Sequence, residues 1–95
     1  MEIKVVWVFN TSNSSFSGGI FEDFEVAEAW IKKNKLTGTL TKYPLNKGTL
    51  EWAIENDCVG IKPEKLKEKM KSPEFIGGFT SASMEHYHYE AGYRD

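Results

Sequence analysis

A chain of 95 residues is the size of one domain, and at that length folding buries roughly two-thirds of the surface that the unfolded chain exposes. Apolar residues at 40% and charged residues at 27% exclude the composition of a disordered chain, while a net charge of −2 gives no broad positive field for nucleic acid. No apolar run approaches the roughly 20 residues of a membrane span, no secretory leader pattern opens the chain, and Cys58 has no second cysteine to pair with. The expectation is a single domain over 1–95, in the cytoplasm, with no nucleic-acid or membrane partner.

Ile3, Val5, Trp7 and Phe9 alternate onto one face of a first strand, and Val6 and Val8 make the opposite face apolar as well, so a central strand covered on both sides is expected. Asn10 to Ser15 is dense in Asn, Ser and Thr, whose side chains bond their own backbone and favour a hairpin loop. A second strand is expected over 16–21, with Gly18 and Gly19 marking a bulge or a close backbone approach. From Asp23, a capping residue, Phe24, Ala27, Trp30 and Ile31 form one apolar stripe of a helix. Glu25 and Glu28 sit near its positive end, lysines gather at its negative end, and Glu28 lies one turn from Lys32.

Thr37, Thr39 and Thr41 alternate with Leu40 in a third strand over 36–43, which Pro44 is expected to end. Asn46 or Thr49 can cap a second helix with Leu50, Ala53, Ile54 and Cys58 inward, Glu51 and Glu55 outward, and Trp52 off the stripe. Trp52 then packs either against a loop or the tail, or serves as an exposed interface aromatic. Residues 62–71, with five Lys and two Glu behind Pro63, predict a polar surface helix or linker. Pro73 signals a short helix carrying Phe75, Ile76 and Phe79, and a strand follows at 85–89. The fold class that results is α+β, with a small, mainly antiparallel sheet of three to four strands covered by two or three helices.

The densest chemistry lies in Glu85, His86, Tyr87, His88, Tyr89 and Glu90. On a strand, His86, His88 and Glu90 share one face while Glu85, Tyr87 and Tyr89 share the other. Two imidazoles at that spacing can chelate an ion, with Glu90 or a distant carboxylate as a third zinc ligand and Glu85 either orienting a ligand from behind or acting as an acid-base group. No second His pair, Cys pair or His-Glu-x-x-His helix accompanies them. The alternatives are that these rings pack as amphipathic members of the sheet, or that they form a recognition patch for another protein. Cys58 follows Glu55 and Asp57, an acidic setting that disfavours a thiolate nucleophile.

The order Trp7-Val8-Phe9, Gly19-Ile20-Phe21, Ala29-Trp30-Ile31, Leu36-Thr37-Gly38, Tyr43-Pro44, Trp52-Ala53, Phe79-Thr80-Ser81-Ala82-Ser83 and Glu85 to Glu90 resembles a domain-of-unknown-function family of small bacterial cytoplasmic proteins, over almost the whole chain. The resemblance implies a stand-alone domain of the kind associated with neutralising a toxin or binding another protein, and carries over no catalytic residues. The functional expectation is a non-enzymatic protein-binding domain without a cofactor, using Trp52 and residues 85–90. Its competitors are a zinc-dependent protein built on His86, His88 and Glu90, and a subunit that homodimerises through an edge strand.

Overall fold

The computed structural model describes residues 4–95, so the expected contribution of Ile3 to the first strand lies outside the described residues. Among these, nine elements follow one another: β1 (Val5–Asn10), β2 (Gly19–Phe21), α1 (Phe24–Lys33), β3 (Gly38–Pro44), α2 (Thr49–Glu55), α3 (Pro63–Lys69), α4 (Pro73–Gly78), β4 (His86–Glu90) and β5 (Tyr93–Arg94). The chain divides into two compact units, one formed by residues up to Leu45 with Met84–Asp95, the other by Asn46–Ser83.

In the first unit the strands form one antiparallel sheet in the order β2-β1-β3-β4-β5. The α+β class stands; among the described residues the sheet has five strands rather than three to four, and there are four helices. The extra strand, β5, is two residues long and is joined to β4 by a tight turn at Ala91 and Gly92, both at positive φ (50° and 89°). It is too short to show alternation of its own.

Residues paired directly across a ladder point to the same side. Trp7 faces Phe21, Phe9 faces Leu40, and Leu40 faces Tyr87, so these side chains line one face of the sheet. That face packs on α1, and Trp7, Phe9, Ala27, Ile31, Leu40 and Tyr89 form the buried core, with Phe21, Phe24, Trp30, Leu36 and Tyr87 around it. Trp30 stands edge-on to Phe9 at 5.5 Å between ring centroids and tilts against Phe21 at 5.2 Å. Gly38 permits this packing, because a Cβ there would lie 2.7 Å from the Phe9 ring.

The opposite face carries Ile20 and Thr41 on either side of Val8, His86 opposite Thr41, and His88 opposite Thr39. β1 is an interior strand as expected, with Trp7 and Phe9 buried; Val6 and Val8 are half-buried, so the expected cover of the second face is only partial. The second strand is shorter than expected and starts at Gly19: before it the Gly18 N–H donates to the Phe9 carbonyl at 2.8 Å, and the Ser17 hydroxyl shares its one proton between the Phe9 and Gly19 carbonyls at 3.1 and 3.0 Å. β3 keeps Pro44 as its last residue, where the missing N–H falls at the strand end.

Asp23 caps α1 as expected, its Oδ1 accepting from the Glu25 N–H at 3.1 Å. Glu28 is committed elsewhere than to Lys32: it receives the Tyr89 hydroxyl and the Arg94 guanidinium.

In the second unit Leu50 and Ala53 of α2 are buried, Trp52 and Cys58 are half-buried, and Ile54 is exposed, which corrects its assignment to the inward stripe. Gly48 is the N-cap residue of α2 and offers no side-chain bond; Asn46 instead occupies a left-handed turn position and Thr49 is already helical. The lysine-rich segment forms α3 with Pro63 in its first turn, and Ser72 caps α4 by accepting from the Phe75 N–H. Phe75 and Phe79 pack edge to face at 5.9 Å, and the Lys69 ammonium lies over the Phe75 ring.

Candidate functional site

β4 divides its side chains between two environments. Tyr87 and Tyr89 lie on the α1 side, where Trp7, Phe24 and Tyr87 form a three-ring set with centroids 4.9, 6.1 and 5.4 Å apart. The Arg94 guanidinium sits 5.5 Å from the Phe24 ring centre and 5.1 Å from that of Tyr87, within cation–π range of both. Its Nε is 3.3 Å from Oε2 of Glu28, the same oxygen to which the Tyr89 hydroxyl donates at 2.8 Å. The register explains the meeting: Arg94 pairs across the ladder with Tyr89 and therefore points to the same side.

Two phenols are perturbed. Burial, then the hydrogen bond to the Glu28 carboxylate, pushes Tyr89 well above the ordinary phenol range. Tyr87 donates to Oε2 of Glu85 at 2.5 Å, and that carboxylate also pushes its phenol up. Glu85 is exposed and is 3.7 Å from the Lys42 ammonium.

On the opposite face His86 and His88 stand side by side, with ring centroids 5.2 Å apart and planes nearly perpendicular. Nδ1 of His86 lies 2.7 Å from the Met84 carbonyl oxygen and therefore carries its proton in the neutral ring. Nδ1 of His88 shares a hydrogen bond with the Thr39 hydroxyl at 3.2 Å. In His86 this leaves Nε2 with its lone pair free, the arrangement of a ligating imidazole whose other nitrogen is anchored to a carbonyl. Glu90 is exposed at the end of β4, and among the described residues no three His, Cys, Asp or Glu side chains are grouped to hold a metal ion. Trp52, the remaining candidate from the sequence, is half-buried in α2 of the second unit, its carbonyl accepting from the Asn56 backbone and side chain.

Three features were missed by sequence reasoning. An open groove of about 330 Å³ lies at one end of the sheet, lined by Asn10, Thr11 and Ser12 together with Thr37, Gly38, Thr39, His88 and Tyr89. Read locally, Asn10 to Ser12 mean a turn and Thr37 and Thr39 a strand; register alone brings them to one place. Phe16 and Ile20, on the same hairpin as Asn10 to Ser12, are 83% and 65% exposed, which the expectation of a second strand over 16–21 did not indicate. Arg94 is the third: only a hairpin turn at Ala91-Gly92 opposes it to Tyr89, and an X-Gly pair after an alternating run was the available signal.

No helix among the described residues is long and apolar enough to cross a membrane. No curated protein and no solved structure matches the chain. Over residues 6–95 it matches the family model described as Domain of unknown function (DUF7710), and it belongs to that family.

Proposed function

We propose that this chain is a non-enzymatic domain that binds another protein through the β1–β2 hairpin. The observation that carries the reading is the 83% exposure of Phe16 together with the 65% exposure of Ile20 on a three-residue edge strand. An aromatic ring and a branched aliphatic held in water beside an unpaired strand edge suit a partner that covers both. The hydroxyl-lined groove beginning at Asn10 borders the same hairpin and offers donors and acceptors for the polar rim of such an interface. A net charge of −2 supports a protein partner over nucleic acid, and the unpaired Cys58 agrees with a cytoplasmic setting. Toxin neutralisation of the immunity type falls within this reading.

The test is a photo-crosslinking residue at position 16 in cells of the source organism, compared with the same residue at position 68 on α3. A discrete adduct from position 16, absent from position 68 and lost on Ile20→Lys, is the expected result. Equal ladders from both positions refute the reading, and an adduct of twice the chain mass identifies the partner as a second copy.

The side-by-side imidazoles of His86 and His88 favour a second reading, a zinc-class metal site in which the two rings supply two ligands and water or a partner completes the shell. Titration with zinc followed by the imidazole resonances decides it. One-to-one shifts lost in His88→Ala support the site, and unchanged imidazoles remove it.

A further inference from the structure

We propose that Trp7, Phe24, Tyr87 and Glu28 form a receptor for a guanidinium side chain, and that Arg94 is its tethered intramolecular occupant. The inference is independent of the hairpin reading. It rests on the assembly of three elements, β1, α1 and β4, around a single cation carried by a fourth.

Every feature of a cation receptor is supplied by residues other than Arg94. Trp7, Phe24 and Tyr87 touch one another at 4.9 to 6.1 Å, so the ring set is closed by its own packing and two ring faces are turned to the guanidinium. The counter-charge is Oε2 of Glu28, which the Tyr89 hydroxyl holds at 2.8 Å; that bond does not involve Arg94 and keeps the carboxylate aimed when the arginine leaves. The Tyr87 ring is likewise fixed from outside by its own bond to Glu85. Planar π faces beside a carboxylate suit a flat, weakly hydrated guanidinium better than a compact ammonium.

The occupant is carried on a short tether whose backbone is fixed: the Ala91 N–H donates to the Thr37 hydroxyl oxygen, the Gly92 N–H to the Leu36 carbonyl and the Asp95 N–H to the His88 carbonyl. Arg94 lies on a two-residue edge strand paired on one side only, its side chain stays 44% exposed, and the turn that returns it places Ala91 at a φ of 50° that a non-glycine residue adopts at a cost. A partner arginine therefore competes with a short tether, and the tether sets the threshold for entry.

The experiment uses the whole chain, the variant Arg94→Ala, and N-acetyl-arginine amide as probe, followed by the indole N–H of Trp7 and the ring resonances of Tyr87. The expected result is saturable, one-to-one binding to Arg94→Ala in the millimolar range, at least tenfold weaker binding to the unaltered chain, and loss of binding when Glu28→Gln is added. N-acetyl-lysine amide should bind Arg94→Ala several-fold more weakly than the arginine probe. A response that does not saturate, that is equal in the two proteins, or that survives Glu28→Gln overturns the proposal. Should Arg94→Ala lose its folded spectrum, the unaltered chain is titrated to high probe concentration while the Arg94 Nε resonance is followed. Movement towards the position of free arginine supports the receptor, and an unmoved resonance overturns it.

Discussion

Replacing Tyr89 with phenylalanine removes one polar tie between β4 and α1 while leaving a ring that is 3% exposed in its place. What is lost is the hydroxyl's bond to Oε2 of Glu28, made at 2.8 Å. A hydrogen bond to a charged group is worth about 1.5–3 kcal/mol when desolvated. The Glu28 side chain keeps 28% of its exposure and retains Arg94 at 3.3 Å, so the lower end applies, about 1.5 kcal/mol or about 6–12 °C in Tm. The pH dependence tests the cause. Because the phenol of the folded chain titrates above the ordinary value near 10, the unfolded chain ionises first as pH rises. The contribution of Tyr89 is therefore complete below pH ~10 and declines above it, by about 1.4 kcal/mol for each unit until the folded phenol also ionises. Urea unfolding at pH 7, 9, 10 and 11 should show unaltered protein more stable than Tyr89→Phe at pH 7 and 9, with the gap close to zero by pH 11. Lysines and the other tyrosines titrate in both proteins and cancel in the difference. A gap that stays constant through pH 11 would refute the reasoning.

Leu40→Ala, at a fully buried position of an interior strand, should cost about 3–4 kcal/mol in urea unfolding, since the surrounding rings cannot collapse into the space. Ala91→Asn should raise stability by about 0.5–1 kcal/mol, because asparagine tolerates the left-handed conformation that alanine holds at 50°, and calorimetry would read this as a Tm rise of a few degrees. Gly92→Ala should lower stability by at least about 1 kcal/mol, as φ is 89° and the new Cβ would stand 3.1 Å from the Lys35 backbone. Asp23→Ala should cost about 1 kcal/mol and loosen the first turn of α1, seen as faster exchange of the Glu25 amide.

The elements that repeat a period were legible. α1 announced itself by a cap at Asp23 and by Phe24, Ala27, Trp30 and Ile31 at helical spacing, and all four are buried or half-buried. β1 and β3 were legible by alternation, and only their ends moved. What failed was short or set by distant contacts. Phe16 was read as the start of the second strand, but the Gly18 N–H donates to the Phe9 carbonyl and the Ser17 hydroxyl lies within reach of the Phe9 and Gly19 carbonyls, which leaves only three residues in the ladder. Ile54 fitted the stripe of a longer helix; α2 has seven residues, and two inward positions, Leu50 and Ala53, account for its buried side.

For the candidate site, alternation along β4 was enough to part the tyrosines from the histidines, but it could not say what each set would meet. Glu28 is 61 residues from Tyr89, and nothing local in α1 marks it for the phenol rather than for Lys32. The division has a consequence for any mutational dissection of function. Tyr87 and Tyr89 are joined to Trp7, Phe24 and Glu28, so replacing either one changes packing, the position of a carboxylate and the seat of Arg94 together. His86 and His88 each hold one Nδ1 bond and no place in the buried cluster, so their replacement changes surface chemistry with the core intact. A loss of binding in His88→Ala would therefore locate a contact, whereas the same loss in Tyr89→Phe would locate one only after the stability difference above had been subtracted.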